Sequence, residues 1–243
     1  MTGPPVALDE SLPPVRPRFG TLALDVYRDF KYVAAGWPGG LSTGQTNAGG
    51  LGTRPHEPLR AEPRYRSRDV LYGYLTLGNG PDPRITFVLD ELEQPTWTLW
   101  VDRNNNQDLT DDGPPLTNQG TGLRFAASVS LFVEFTTRDS GIVKRPYRLW
   151  FWVNDWKNAP SGSPPYVARF YSTCHYAGRI ELGGEVFDAA AFEQHGHDGL
   201  LADDGIWIDL DRDGKFQRPV EHFSDGEEIR ARNDVARLRI ERR

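Results

Sequence analysis

Trp100-Val-Asp-Arg-Asn-Asn-Asn-Gln-Asp-Leu109 and Trp207-Ile-Asp-Leu-Asp-Arg-Asp-Gly-Lys-Phe216 carry one pattern, displaced by 107 residues. Each begins with strand-like residues and then sets oxygen-bearing side chains at alternate positions. In the second stretch, Asp209, Asp211 and Asp213 fill positions 1, 3 and 5. Gly214 at position 6 permits a sharp turn, Lys215 at position 7 offers its carbonyl, and Phe216 is an apolar anchor. In the first stretch, Asp102, Asn104 and Asn106 fill positions 1, 3 and 5, Gln107 replaces the glycine, Asp108 is at position 7 and Leu109 is the anchor. A loop with ligands at this spacing wraps a calcium ion. Asp111 and Asp112 are placed to close the first shell. Glu221 stands one residue beyond the usual place of a bidentate acid in the second. The first loop has fewer charged ligands, which predicts weaker binding.

The pattern extends on the N-terminal side of both loops. Gly73-Tyr-Leu-Thr-Leu-Gly78 and Gly178-Arg-Ile-Glu-Leu-Gly183 are 105 residues apart, and each is followed by a strand-like run, Ile85–Asp90 and Val186–Glu193. A near-constant offset across several motifs marks an internal repeat. The spacing predicts two related units, at about 70–116 and 176–220. Around them, β-branched and aromatic runs alternate with turn residues. Examples are Val129–Thr136, Tyr147–Val153, Tyr166–Ser172 and Val235–Ile240. Short strands at regular spacing predict an all-β fold of sandwich-like antiparallel sheets, with an internal duplication and calcium-type loops. Residues 1–63 read as a Pro/Gly-rich N-terminal arm with one strand near 20–34. Residues 64–243 read as the all-β calcium-binding domain.

Composition narrows the function classes. The chain has 243 residues, 12% of them aromatic, which argues for a packed core rather than disorder. Its formal charge of −6 lacks the basic stripe of a nucleic-acid binder. Seven loop acids (Asp102, Asp108, Asp111, Asp112, Asp209, Asp211, Asp213) outnumber that net deficit. Packed into two turns, they repel one another unless a cation lies among them. A single cysteine, Cys174, excludes an intrachain disulfide. No apolar run reaches the ~20 residues a membrane span needs. Met1-Thr-Gly-Pro-Pro has neither the basic region nor the apolar core of a signal peptide. Weak calcium loops suit the millimolar calcium outside cells, so the expected compartment is extracytoplasmic or secreted.

The two loops resemble the calcium loops of EF-hands and dockerin modules. That resemblance implies the liganding roles given above. It does not extend to the helix–loop–helix fold, because strand-like residues precede both loops. Pro114-Pro115 and Pro219 follow them and obstruct an exiting helix. The whole chain more loosely resembles secreted bacterial β-proteins with Asp-x-Asn-x-Asp loops, and no activity follows from that likeness.

Two further constellations stand out. Glu193, His195 and His197 share one face if their strand continues, and that trio suits zinc, manganese or iron. A metal-dependent enzyme is one alternative reading. Trp150 and Trp152 point to one face of their strand. If exposed, they make a sugar-stacking platform, and a carbohydrate-binding module is the other alternative. The leading expectation is a calcium-stabilised extracytoplasmic binding or structural β-module. It would hold two Ca2+ ions and meet a protein or polysaccharide partner at the cell surface, without nucleic acid.

Overall fold

A computed structural model describes residues 12–34, 36, 44–90, 96–121, 123–137, 141–194, 196–232 and 234–241. Its elements begin with β1 (Thr21–Leu24), α1 (Val26–Asp29), β2 (Lys31–Val33), β3 (Thr46–Asn47) and β4 (Gly49–Gly52). There follow β5 (Leu71–Thr76), β6 (Arg84–Asp90), β7 (Thr98–Val101), β8 (Leu116–Thr117), β9 (Phe125–Thr137), β10 (Gly141–Asp155) and β11 (Tyr166–Ser172). The chain ends with β12 (His175–Leu182), β13 (Glu185–Ala191), β14 (Ile206–Ile208), β15 (His222–Phe223), β16 (Glu228–Ala231) and β17 (Asp234–Ile240). The protein is all-β and sandwich-like, with mostly antiparallel sheets.

The chain forms two compact units. The first comprises Met1–Thr43, Ser172–Gln194 and Leu200–Arg243, and the second Gly44–Tyr171 and His195–Gly199. The stretch expected to be an arm is therefore divided between them. Within 20–34 there are two strands and a helical turn rather than one strand. Asp25 caps that turn, its carboxylate accepting the Tyr27 N–H. β1 runs parallel to β17, β2 pairs with β12, and β4 pairs with β5. These short segments satisfy their backbone groups by pairing with distant strands, a partnership local composition does not reveal.

In the second unit, strands alternate as a two-residue period demands. Leu71, Gly73 and Leu75 of β5 point inward, as do Tyr147, Leu149, Phe151 and Val153 of β10. The five-stranded meander β4-β5-β6-β7-β8 meets the sheet β3-β11-β10-β9 through Phe87 and Phe151, whose ring centroids are 4.9 Å apart. The first unit has a five-stranded sheet, β15-β14-β13-β12-β2, and a three-stranded one, β1-β17-β16. In β17 Ala236, Leu238 and Ile240 face inward while Arg237 and Arg239 face out. The residues at 224–232 form a turn and strand β16.

The two meanders have the same strand order and register. Tyr74 pairs with Thr86, and Arg179 with Asp188. Leu99 pairs with Leu116, and Ile206 with Phe223, both members displaced by 107 residues. The N–H of Asp102 donates to the Thr86 carbonyl and that of Asp209 to the Asp188 carbonyl, each at 2.9 Å. The repeated glycines have a packing reason. A side chain at Gly73 would enter the Phe87 ring, and one at Gly178 would enter the Phe30 ring.

Candidate metal centres

Each loop leaves the fourth strand of its five-stranded meander, so its first acid is set by the sheet. Asp102 is 1% exposed and Asp209 is 5% exposed. Neither carboxylate is idle. One Asp102 oxygen accepts the Asn106 N–H at 3.0 Å and the other the Gln107 N–H at 2.8 Å. Asp209 repeats this with Asp213 at 3.1 Å and Gly214 at 3.0 Å. Positions 4 and 6 are left-handed in both loops: Asn105 and Gln107 at φ 54° and 61°, Arg212 and Gly214 at 62° and 76°. Gln107 thus takes the conformation that glycine supplies in the second loop. The position-8 anchors also match. Leu109 is buried against Val70 and Val88, and Phe216 against Trp207, Phe192 and Ala190.

A second acid closes each loop, and here the two differ. The N–H at position 2 needs an acceptor in both. Asp112 provides it for Arg103 and Glu221 for Leu210, each at 2.8 Å. Glu221 is 1% exposed and also accepts the Gln217 N–H at 2.8 Å. The sequence pointed to these acids as ligands but not to their role as backbone clamps. Asp209, Asp211 and Glu221 bring carboxylate oxygens within 4.8 Å of one another. Among the described residues this is the one such group of acidic, His or Cys side chains.

The other expected ligands are disposed unequally. Asp111 is bridged by the amide nitrogens of Asn104 at 3.2 Å and Asn106 at 2.8 Å. Asp108 turns one carboxylate oxygen, Oδ1, to the Thr110 N–H and hydroxyl. Those Thr110 bonds hold the Asp108 carboxyl below its usual range. Asp213 accepts the Lys215 N–H at 2.8 Å and the Gln217 amide at 3.1 Å. Four side-chain atoms of the first loop, Arg103 Nε, Asn104 Oδ1, Asn105 Oδ1 and Asp112 Oδ2, are buried without a hydrogen-bond partner. Such atoms are rare in native proteins, and the three oxygens among them suit an ion or water.

Electrostatics point the same way. Burial raises the carboxyl pKa of Asp102, Asp209 and Glu221, and pushes that of Asp112 up to about 6. The loops crowd anionic oxygens in places where water solvates them poorly, and a divalent cation reverses that penalty. One supporting residue escaped the sequence reading. Asp82, in the β5–β6 turn, accepts Gln107 Nε2 at 2.7 Å on its side chain and Asn105 Nδ2 at 2.8 Å on its carbonyl. Only the strand register brings residue 82 to residues 105 and 107.

Trp150 and Trp152 do not make an exposed platform. Trp152 is buried, with Tyr171 at 5.5 Å between ring centroids, and Trp150 is half-buried. The Tyr171 ring packs against Trp152, so the exposure on which the sugar-stacking alternative depends is not met there. His195 lies outside the described residues. Glu193 is buried in the first unit. His197 is buried in the second, where its N–H donates to Thr46 Oγ1 at 3.1 Å. No described helix is long and apolar enough to cross a membrane. Comparison of the chain with protein-family models, curated proteins and solved structures finds no match.

Proposed function

We propose that this protein is a calcium-stabilised extracytoplasmic β-module with a binding or structural role, each of its two related meanders carrying one Ca2+ loop. The observation that carries this reading is the agreement of the two loops in detail. They share left-handed residues at positions 4 and 6, a buried first acid accepting two loop N–H groups, a second acid clamping the position-2 N–H, and an apolar anchor. Two loops of different sequence keep one geometry, as a common ligand requires. In the second loop Asp209, Asp211, Asp213 and Glu221, with the Lys215 carbonyl, supply hard oxygen ligands of the kind calcium takes. In the first, Asp102, Asn104, Asn106, Asp111 and Asp112 do so with less charge. The ions neutralise crowded acids and brace the β7–β8 and β14–β15 connections.

The test is a thermal melt in calcium, in chelator and in zinc, with elemental analysis of the purified protein. Calcium at a hundredfold excess over its dissociation constant should stabilise by ~2.7 kcal/mol per site. A melt insensitive to calcium, with no calcium in the protein, rejects the reading.

A further inference from the structure

Beside the second loop, the first unit contains a cavity of about 310 Å3. Three arginines line it: Arg212 from the loop itself, and Arg230 and Arg232 from the end of β16 and the turn after it. Two of them stand where arginine is a poor choice. Arg212 has φ 62° and Arg232 has φ 50°. The left-handed region disfavours residues with a Cβ other than Asn and Asp. Arg232 opens the two-residue connection between Ala231 and Asp234, a position suited to Asn or Gly. The residue equivalent to Arg212 in the first loop is Asn105, which tolerates its φ of 54°. Local backbone preference thus favours other residues at both places, so the guanidinium groups have a use of their own.

They are also held in position. Glu185 gives one carboxylate oxygen to Arg232 at 2.7 Å and the other to Arg212 at 3.3 Å. The Arg212 guanidinium lies 4.9 Å above the Phe187 ring, which is also in the cavity wall. Arg230 is oriented by Glu228 at 2.7 Å. The closest approach in each of these ion pairs is made by Nη2. A guanidinium has five N–H donors in a planar fork that matches a carboxylate or phosphate. Asp211, a ligand in the calcium reading, also lines the cavity. An ion that neutralises Asp211 removes a negative charge from the wall of an arginine-lined basin.

We propose that this cavity binds a small oxyanion, the carboxylate or phosphate group of a ligand, across Arg212, Arg230 and Arg232, and that the ion in the second loop strengthens the binding. The coupling rests on the calcium reading above. The experiment is calorimetric titration of the whole chain with methyl phosphate and with glucuronate at matched ionic strength, in calcium and in chelator, beside a direct titration with calcium alone. The two anions separate a phosphate source from a carboxylate source. At least one should bind in calcium, and bind about fivefold or more weakly in chelator, a typical coupling between linked sites. The deciding variant is Arg232→Asn. Asparagine suits the left-handed turn, so the variant should melt no lower than the parent while its anion affinity falls about tenfold or more, the scale of one lost charge-assisted hydrogen bond. Unchanged anion affinity in a folded Arg232→Asn protein overturns the proposal. So does the absence of anion binding by a chain that takes up calcium, an outcome that leaves the calcium reading standing. A chain that takes up no calcium refutes the calcium reading itself and, with it, the coupling.

Discussion

Replacing Asp112 by Asn should move the melting temperature in opposite directions with and without calcium. In the ion-free loop the Asp112 carboxyl is pushed from its usual 3.8 up to about 6, first by burial and then by Asp102 and Asp111. The folded state therefore holds this proton more tightly than the unfolded chain between those pH values. The stability linked to the group is lost as pH rises through that window, and above it the whole penalty is present. Two pKa units amount to about 3 kcal/mol for a fully buried group, and partial exposure halves this to ~1–1.5 kcal/mol. Asparagine removes the charge and keeps an oxygen for the Arg103 N–H, the bond Asp112 Oδ1 makes at 2.8 Å. In chelator at slightly alkaline pH the Asp112→Asn protein should melt higher, by about 2–4 °C per kcal/mol for a chain of this size. In calcium the order should reverse, because a neutral amide replaces a carboxylate ligand and much of the ~2.7 kcal/mol from the ion is lost. Calorimetric melts of both proteins under both conditions test this. A shift of the same sign in calcium and in chelator refutes the argument that the acid is tolerated for the sake of a cation.

Other expectations follow from single contacts. Leu109→Ala removes a fully buried anchor beneath the first loop and should cost about 2–5 kcal/mol in denaturant unfolding; a loss below 1 kcal/mol, by the same scale, would show that the anchor is not packed as described. Gly178→Ala forces a methyl group into the Phe30 ring and should destabilise by about 1–3 kcal/mol, measured by urea midpoint. His175 is 2% exposed, its Nδ1 is 3.1 Å from the Gly36 carbonyl, and burial lowers its pKa from 6.5 to about 4. The unfolded chain takes up this proton first as pH falls, so stability should drop by up to about 3 kcal/mol between those values. Urea midpoints across that range should flatten in a His175→Gln variant; parallel slopes would contradict the assignment.

The β class was legible because strands write their burial directly into the chain. The alternation of β5, β10 and β17 and the repeated Gly and Trp motifs are local signals. The loops were legible for the same reason, since positions 1 to 8 sit on one short stretch. Strands within the stretch read as an arm were less legible, because β1, β2, β3 and β4 are only two to four residues long and β4 is Gly-rich. They are strands by virtue of partners far along the chain. The tryptophans were ambiguous because alternation gives a face but not what covers it.

The sequence by itself determined the period-two patterning, the twin loops, their oxygen-bearing side chains and their apolar anchors, since each is a property of neighbouring residues. Only the tertiary structure decided which acid clamps which backbone N–H and that Asp82 supports the first loop. It also showed that Arg230 and Arg232 meet Arg212 around one cavity. Those groupings depend on strand register and chain return, which bring together side chains that local sequence keeps apart.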